Sequence, residues 1–248
     1  MAKRKKKMRR KPAISFYAVF AAVLILVIAV LGVSVFFRVN SVEVKGSSFY
    51  TQEEVLEVAD ISTGNIIFFT PTDEAKQRLY DQLPYIYSVD ITKTLPDEVT
   101  IYINESEAVG YITFSGTDWL IDEHGKVLGK LEGNKDGYIR VTGITPTDAN
   151  TGKMLRVEED QQTTLDALVN ILTAIEKAGV TEKVKDLDVS NISNATFTYD
   201  SIYSIDFGSG VNAEYKIKTL VDVVSKLEAG KKGKIDLSRE GETHFIPA

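Results

Sequence analysis

Residues 13–37 form a run of 25 positions without a charge, apolar without interruption over 18–31. At about 1.5 Å of rise per residue, a helix of that length exceeds the roughly 30 Å hydrocarbon layer of a bilayer. Such a helix also satisfies its backbone amides internally, which lipid demands. A cleaved signal peptide needs a shorter apolar region of about 7–15 residues and a small-residue cleavage site. This run is longer and closes on Val35, Phe36, Phe37 and Arg38, which are bulky. An uncleaved transmembrane helix over 13–37 is the prediction.

Charge sets the orientation. Lys3, Arg4, Lys5, Lys6, Lys7, Arg9, Arg10 and Lys11 precede the run with no acid among them, while only Arg38 and Lys45 follow closely. The positive-inside rule keeps the tail over 1–12 cytoplasmic and sends the remainder across, a single-pass type II topology. The tail gains about 1 kcal/mol per cation near an anionic lipid surface. Its position against a membrane helix favours that topogenic role over a nuclear-localisation or nucleic-acid role. The chain's 29 basic and 35 acidic residues give a formal charge of −6; without those eight cations, 21 against 35 leaves −14. A body this acidic does not attract phosphate backbones, so no nucleic-acid partner is expected. Zero cysteine excludes disulfides, thiolate metal sites, iron–sulfur clusters and cysteine nucleophiles.

Residues 39–106 read as strand, helix, loop, helix, strand, strand. Val42 and Val44 alternate with polar residues before Gly46 breaks the strand. Thr51 with Glu54 is a capping box, and Val55, Val58 and Ala59 give its helix one apolar face. An apolar connection over 61–69 leads to a second helix, expected to be capped by Thr70 with Pro71 at its first position and Asp73 and Glu74 in its first turn. Leu83 and Pro84 end it. Tyr87, Val89 and Ile91 alternate on one strand, and Val99, Ile101 and Ile103 on the next. The expectation is a β-α-α-β-β unit with two helices on one face of a three-stranded sheet.

The segments over 39–69 and 83–112, VNSVEVKGSSFYTQEEVLEVADISTGNIIFF and LPYIYSVDITKTLPDEVTIYINESEAVGYI, resemble the POTRA domain of the FtsQ/DivIB family of bacterial cell-division proteins. A single such unit directly after one membrane helix is that family's arrangement. The family commonly closes the unit with Glu-Arg-x-Pro-Val-Ala; here Glu105, Ser106, Glu107, Ala108, Val109 and Gly110 keep only the Glu and the Val. Residues 107–248 resemble the family's β-domain. Strands flank a turn at Asp122 to Gly125, and another strand is expected over 138–144. Leu165, Leu168, Val169, Leu172 and Ile175 fall at intervals 0, 3, 4, 7 and 10 on a helix stopped by Gly179. Strands over 197–199 and 202–207 precede a turn at Gly208, Ser209 and Gly210. A last helix repeats the interval pattern at Ile217, Leu220, Val221, Val224 and Leu227, and strands over 233–238 and 243–246 follow. The fold class expected is α+β: a membrane helix, a POTRA domain over 39–106, and a mixed α/β domain over 107–248 with a C-terminal edge strand.

Catalytic constellations are poor. His124 and His244 lie 120 positions apart and read as surface imidazoles rather than a metal pair or a triad base. No His-Glu-x-x-His, Gly-x-Ser-x-Gly or phosphate-binding loop occurs, and the Gly208–Ser209–Gly210 fragment reads as a turn. Glu158, Glu159 and Asp160 complement a helix dipole without acid–base work. The sequons at Asn104, Asn191 and Asn194 read as chance matches. Tyr80, Tyr85, Tyr87, Tyr102 and Tyr111 read mostly as packing residues. No enzyme, cofactor, metal or small-molecule substrate is expected.

An unpaired strand edge can accept an incoming extended segment. The resemblance implies this use: FtsQ/DivIB proteins bind FtsB/DivIC-type and FtsL-type division proteins through the last strands of the β-domain and support septal peptidoglycan synthesis, at the cytoplasmic membrane of the division septum. On that alignment the partner-binding residues are Ile235, Asp236, Leu237, Ser238, Arg239, Thr243, His244 and Phe245, with Ile235 and Leu237 filling the core through their side chains and Arg239 and Phe245 giving specificity. Two other classes compete. A membrane-anchored cell-wall hydrolase or transferase predicts a cleft where acids or a Ser–base pair converge. A POTRA-bearing secretion or assembly component predicts tandem units before a barrel.

Overall fold

The computed structural model describes residues 16–228, 230–239 and 241–248. The basic tail over 1–12 and the first positions of the 13–37 run lie outside the described residues. Helix α1 (Phe16–Phe36) has 21 residues, apolar on every face and with none buried. The chain leaves it through Phe37 and Arg38 directly into the first of two folded units.

The membrane-proximal unit consists of β1 (Ser41–Lys45), α2 (Gln52–Ala59), a 3-10 turn (Ile67–Phe69), α3 (Thr72–Gln82), β2 (Ile86–Thr94) and β3 (Glu98–Glu105). The sheet order is β1-β3-β2, with β1 parallel to β3 and β2 antiparallel to it. The crossover from β1 to β3 passes through both helices, whose buried Val55, Ala59, Ala75 and Leu79 meet Ile86, Val99, Ile101 and Ile103 of the sheet. The Thr51 capping box forms, each partner satisfying an otherwise orphaned donor. The start of α3 departs from expectation. Thr70 is extended, its carbonyl accepts from Lys93 Nζ at 2.9 Å, and its hydroxyl is buried without a hydrogen-bond partner. The helix therefore begins one residue later, at Thr72, with Pro71 as a cap that has no side-chain bond to give.

The distal unit adds β4 (Gly110–Phe114), β5 (Thr117–Ile121), β6 (Val127–Lys130), β7 (Ile139–Thr142), β8 (Pro146–Asp148), β9 (Arg156–Val157), α4 (Gln162–Lys177), β10 (Val184–Asp188), β11 (Ala195–Tyr199), β12 (Tyr203–Gly208), α5 (Ala213–Lys226), β13 (Gly233–Asp236) and β14 (His244–Pro247). Nine of these strands form one sheet in the order β14-β13-β12-β11-β10-β7-β4-β5-β6. Both helices bury their apolar stripes against it: Leu168, Ile171, Leu172 and Ile175 of α4 and Ile217 and Leu220 of α5 share a core with Ile139, Leu187, Phe207 and Ile235. Glu159 and Asp160 occupy a separate 3-10 turn ahead of α4 rather than its first turn.

The two units dock through the β5–β6 hairpin. Lys126 is 2% exposed; its Nζ donates to the Ile86 carbonyl at 2.7 Å and lies 4.4 Å from the Tyr80 ring centroid. Burial pushes the Lys126 pKa down, only partly offset by the charge of Asp122. His124 stacks on Tyr87 with centroids 4.6 Å apart, and Lys153 pairs with Asp81 at 2.8 Å. His124 is thus a half-buried junction residue, not a free surface imidazole. The tyrosines also divide differently from expectation. Tyr111 is buried and Tyr85 stacks on Phe49, but Tyr80, Tyr87 and Tyr102 remain exposed. Tyr102 turns outward by alternation with the core-facing Ile101 and Ile103, whereas Tyr87, in phase with the inward Val89 and Ile91, is turned outward by a register shift between Ile86 and Ser88 that brings Ile86 to the core instead.

Candidate interaction edge

The last two strands are built on α5 and β12. Gly208 (φ +74) ends β12 so close to the returning chain that an added Cβ would lie 2.7 Å from Ser238 Cα. β13 pairs in parallel with β12, and β14 folds back antiparallel on β13 in the register Ile235 to Phe245 and Asp236 to His244. Ile235 and Leu237 are buried, at 0% and 2% exposure, and face the core beneath α5.

The main-chain hydrogen bonds fix which groups of β14 remain free. Gly233 and Leu237 donate to Ile202 and Asp206 on the β12 side, so by alternation Ile235 faces β12, while Lys234 and Asp236 face β14. Ala248 donates to the Lys232 carbonyl at 3.1 Å, so His244 and Ile246 also bond inward. The main-chain groups of Thr243, Phe245 and Pro247 therefore face the outer side of β14. Among the described residues no strand pairs with that outer side. Pro247 carries no N–H, so a segment added there finds its strongest main-chain partner at Phe245. The opposite edge of the sheet is partly occupied: Val127 on β6 exchanges bonds with Lys153 and Gly152 at 2.9 and 2.7 Å.

The expected residues are brought together, in three different situations. Ile235, Asp236 and Leu237 lie on the inner strand or its continuation, already bonded, so they support the edge rather than present it. Ser238 and Arg239 sit exposed in the connecting loop, where hydrogen bonds from Ser238 hold the Asp236 carboxyl below its ordinary range. Thr243, His244 and Phe245 reach the edge. The Phe245 ring turns inward, against Gly233 and edge-on to Tyr203 with centroids 6.4 Å apart. The apolar side chain that β14 presents to solvent is Ile246, 54% exposed. Sequence reasoning missed Ile246, although strict alternation with an inward Phe245 would have found it. Beside the edge, a cavity of about 310 Å³ opens between α5 and the loop, lined by Tyr215, Thr219, Leu237, Arg239 and Thr243. Lys216 forms its floor, with its ammonium donating to the carbonyls of Phe207 and Ser209 at 3.0 and 2.9 Å. Among the described residues no group of three or more His, Asp or Glu side chains gathers to hold a metal ion.

Comparison with known proteins follows the same division. The family model "POTRA domain, FtsQ-type" matches residues 37–106, and "Cell division protein FtsQ/DivIB, C-terminal" matches residues 110–238. A DivIB cell-division protein of Clostridium botulinum (strain Hall) is 28% identical over 85% of this chain and 82% of its own length. DivIB of Bacillus subtilis (strain 168) is 26% identical over 98% of this chain and 85% of its own length. FtsQ of Corynebacterium glutamicum is 24% identical over 84% of this chain and 90% of its own. A membrane-type N-terminal helix, an FtsQ-type POTRA unit and a matching C-terminal domain leave one conclusion: the chain belongs to the FtsQ/DivIB family of bacterial cell-division proteins.

Proposed function

We propose that this protein is a non-catalytic scaffold of the division machinery that captures FtsB/DivIC-type and FtsL-type proteins at the outer face of the cytoplasmic membrane and thereby supports septal peptidoglycan synthesis. Family membership carries the cell-division role, and α1 the single-pass anchor. The observation that supports capture is the outer side of β14, where the Phe245 N–H and C=O have no strand opposite them among the described residues. An extended partner segment adding there exchanges water for main-chain bonds, while Ile246, His244 and Arg239 read its side chains. The domain limits proposed are 1–12 for the cytoplasmic tail, 13–37 for the anchor, 39–106 for the POTRA domain and 107–248 for the β-domain, with the last two outside the cell.

Co-purification of the full chain in detergent with its FtsB/DivIC-type partner tests the edge. Arg239→Glu combined with Phe245→Ala should abolish co-purification. Ile246→Asp, which alters an exposed side chain only, should weaken it on its own. Circular dichroism melts identify any variant that has simply unfolded. Undiminished capture by folded variants would remove β14 from the mechanism. Turnover of a wall-derived compound by the purified chain would instead favour the hydrolase or transferase reading. A fluorescent fusion spread evenly around dividing cells, rather than gathered at mid-cell, would count against septal action.

A further inference from the structure

We infer that the loop between α2 and α3 is a second membrane contact: Phe68 and Phe69 insert into the outer leaflet beside the exit of α1. The inference rests on α1 being the membrane anchor and goes beyond it.

The loop is chemically suited to lipid. From Ile61 to Thr72 it contains no charged residue, between Asp60 and Asp73. Its tip carries Phe68 and Phe69 at 51% and 81% exposure, two large apolar side chains next to each other that no core covers. Two such rings in water are a liability unless something apolar meets them.

The structure also says what meets them. The loop is fastened to the end of the membrane helix. Ile67 N–H donates to the Phe37 carbonyl at 2.9 Å, Val39 N–H to the Asn65 carbonyl at 2.8 Å, and Gly64 N–H to the Val39 carbonyl at 2.7 Å. Arg38 bridges the two parts, with Nε on the Ser34 carbonyl in the last turn of α1 at 2.7 Å and Nη1 on the Gly64 carbonyl at 2.8 Å. The rings of Phe37 and Phe68 touch, with centroids 5.2 Å apart. The 21 residues of α1 rise about 31 Å, close to the whole hydrocarbon thickness, so its last residue reaches the outer boundary. Phe68 is then held one ring contact from that boundary. Aromatic and aliphatic side chains on an otherwise uncharged segment settle at the level of the headgroups and the first acyl carbons. The occupant of the patch is phospholipid, at the level where α1 leaves it.

The absence of cysteine makes the test direct. The full chain carrying Phe69→Cys, labelled with a nitroxide, is reconstituted into phosphatidylethanolamine–phosphatidylglycerol vesicles containing no other protein. Accessibility to oxygen and to a water-soluble nickel chelate is then read by electron paramagnetic resonance. A label at Gln52→Cys, exposed at the start of α2, is the control. The label at 69 should favour oxygen several-fold over the control and be shielded from nickel. A second label at Thr63→Cys, read with and without Phe69→Asp, separates insertion of the loop from insertion of the nitroxide; the aspartate should return it towards water. Nickel accessibility at 69 equal to that at 52, in a chain that resists carbonate extraction, would overturn the inference while leaving the anchor intact. Shielding that arises only after partner proteins are added would overturn it in favour of a protein contact. Extraction of the whole chain by carbonate would overturn both.

Discussion

Replacing Glu105 with glutamine should unfasten the turn between β1 and α2. The Glu105 carboxylate, at the end of β3, accepts from Ser47 Oγ at 2.7 Å, Ser48 Oγ at 2.6 Å, Ser48 N–H at 3.0 Å and Phe49 N–H at 2.9 Å. Partial burial alone would raise its pKa; the bonds from Ser48, Ser47 and Phe49 outweigh that and hold it at about 2, against an ordinary 4.5. At about 1.4 kcal/mol per pH unit, that difference corresponds to roughly 3.4 kcal/mol favouring the folded unit. Water still reaches Ser48 and Phe49, and screening reduces the figure to about 1.5–2 kcal/mol. Because the folded pKa is depressed, this stabilisation is complete above about pH 5 and is lost as pH falls from 4.5 towards 2.

Glutamine keeps the size, but its amide nitrogen must face donors that need an acceptor. The variant should therefore lose about 1.5–2 kcal/mol at pH 7, and the gap to the parent should shrink by more than half by about pH 3. Trp119, the chain's single tryptophan, belongs to β5 in the distal unit. Backbone amide exchange over β1 and β3 reports the right unit. A loss below about 0.5 kcal/mol at pH 7, or a gap that does not change with pH, would refute the reasoning.

Two further perturbations probe the route from membrane to edge. Lys126→Ala strands the Ile86 carbonyl and empties the space over Tyr80; it should cost about 1–3 kcal/mol and broaden spin-label distances between the two units, whereas an unchanged distribution would mean the junction is held elsewhere. Gly233→Ala would set a Cβ 2.6 Å from Phe245 Cε2 and 2.5 Å from the Ile246 carbonyl oxygen; amide protection over β14 should fall while that of β10 to β12 persists, and equal protection throughout would show that the ring relaxes without moving the strand.

Local order was legible where one periodicity ran uninterrupted. The Thr51–Glu54 box, the stripes of α4 and α5 and the alternation of β2 and β3 each need only neighbouring residues. β10 was not legible because Asp186 takes a positive φ (47°) and the register with β11 jumps between Lys185 and Asp188, so the period of two is broken inside the strand. β4 carries a local signal in the Ser115–Gly116 turn that joins it to β5, but its place beside β7 depends on a parallel pairing with no local signature. At the edge, the sequence located the last two strands but not their division of labour. Whether Phe245 or Ile246 faces outward depends on a one-residue choice of register against β13, set by the fit of the Phe245 ring over Gly233. His124 reads as a surface turn residue and Lys126 carries no signal, because the surfaces they meet, Tyr87 and Ile86, lie about 40 positions away in sequence.

These contacts together determine where an incoming strand would have to arrive. The Arg38 tie fastens the POTRA unit to the end of α1, and the Lys126–Ile86 bond fastens the nine-stranded sheet to the POTRA unit through its β6 side. β14 is the strand at the other extreme of that sheet. Eight inter-strand spacings of about 4.8 Å place it roughly 38 Å from the docked side, measured along the sheet. The proposed capture at β14 therefore depends on how far a partner's binding segment stands from that partner's own anchor: inserting or deleting helical turns between the two, at about 5.4 Å each, should change capture without altering a single contact at β14.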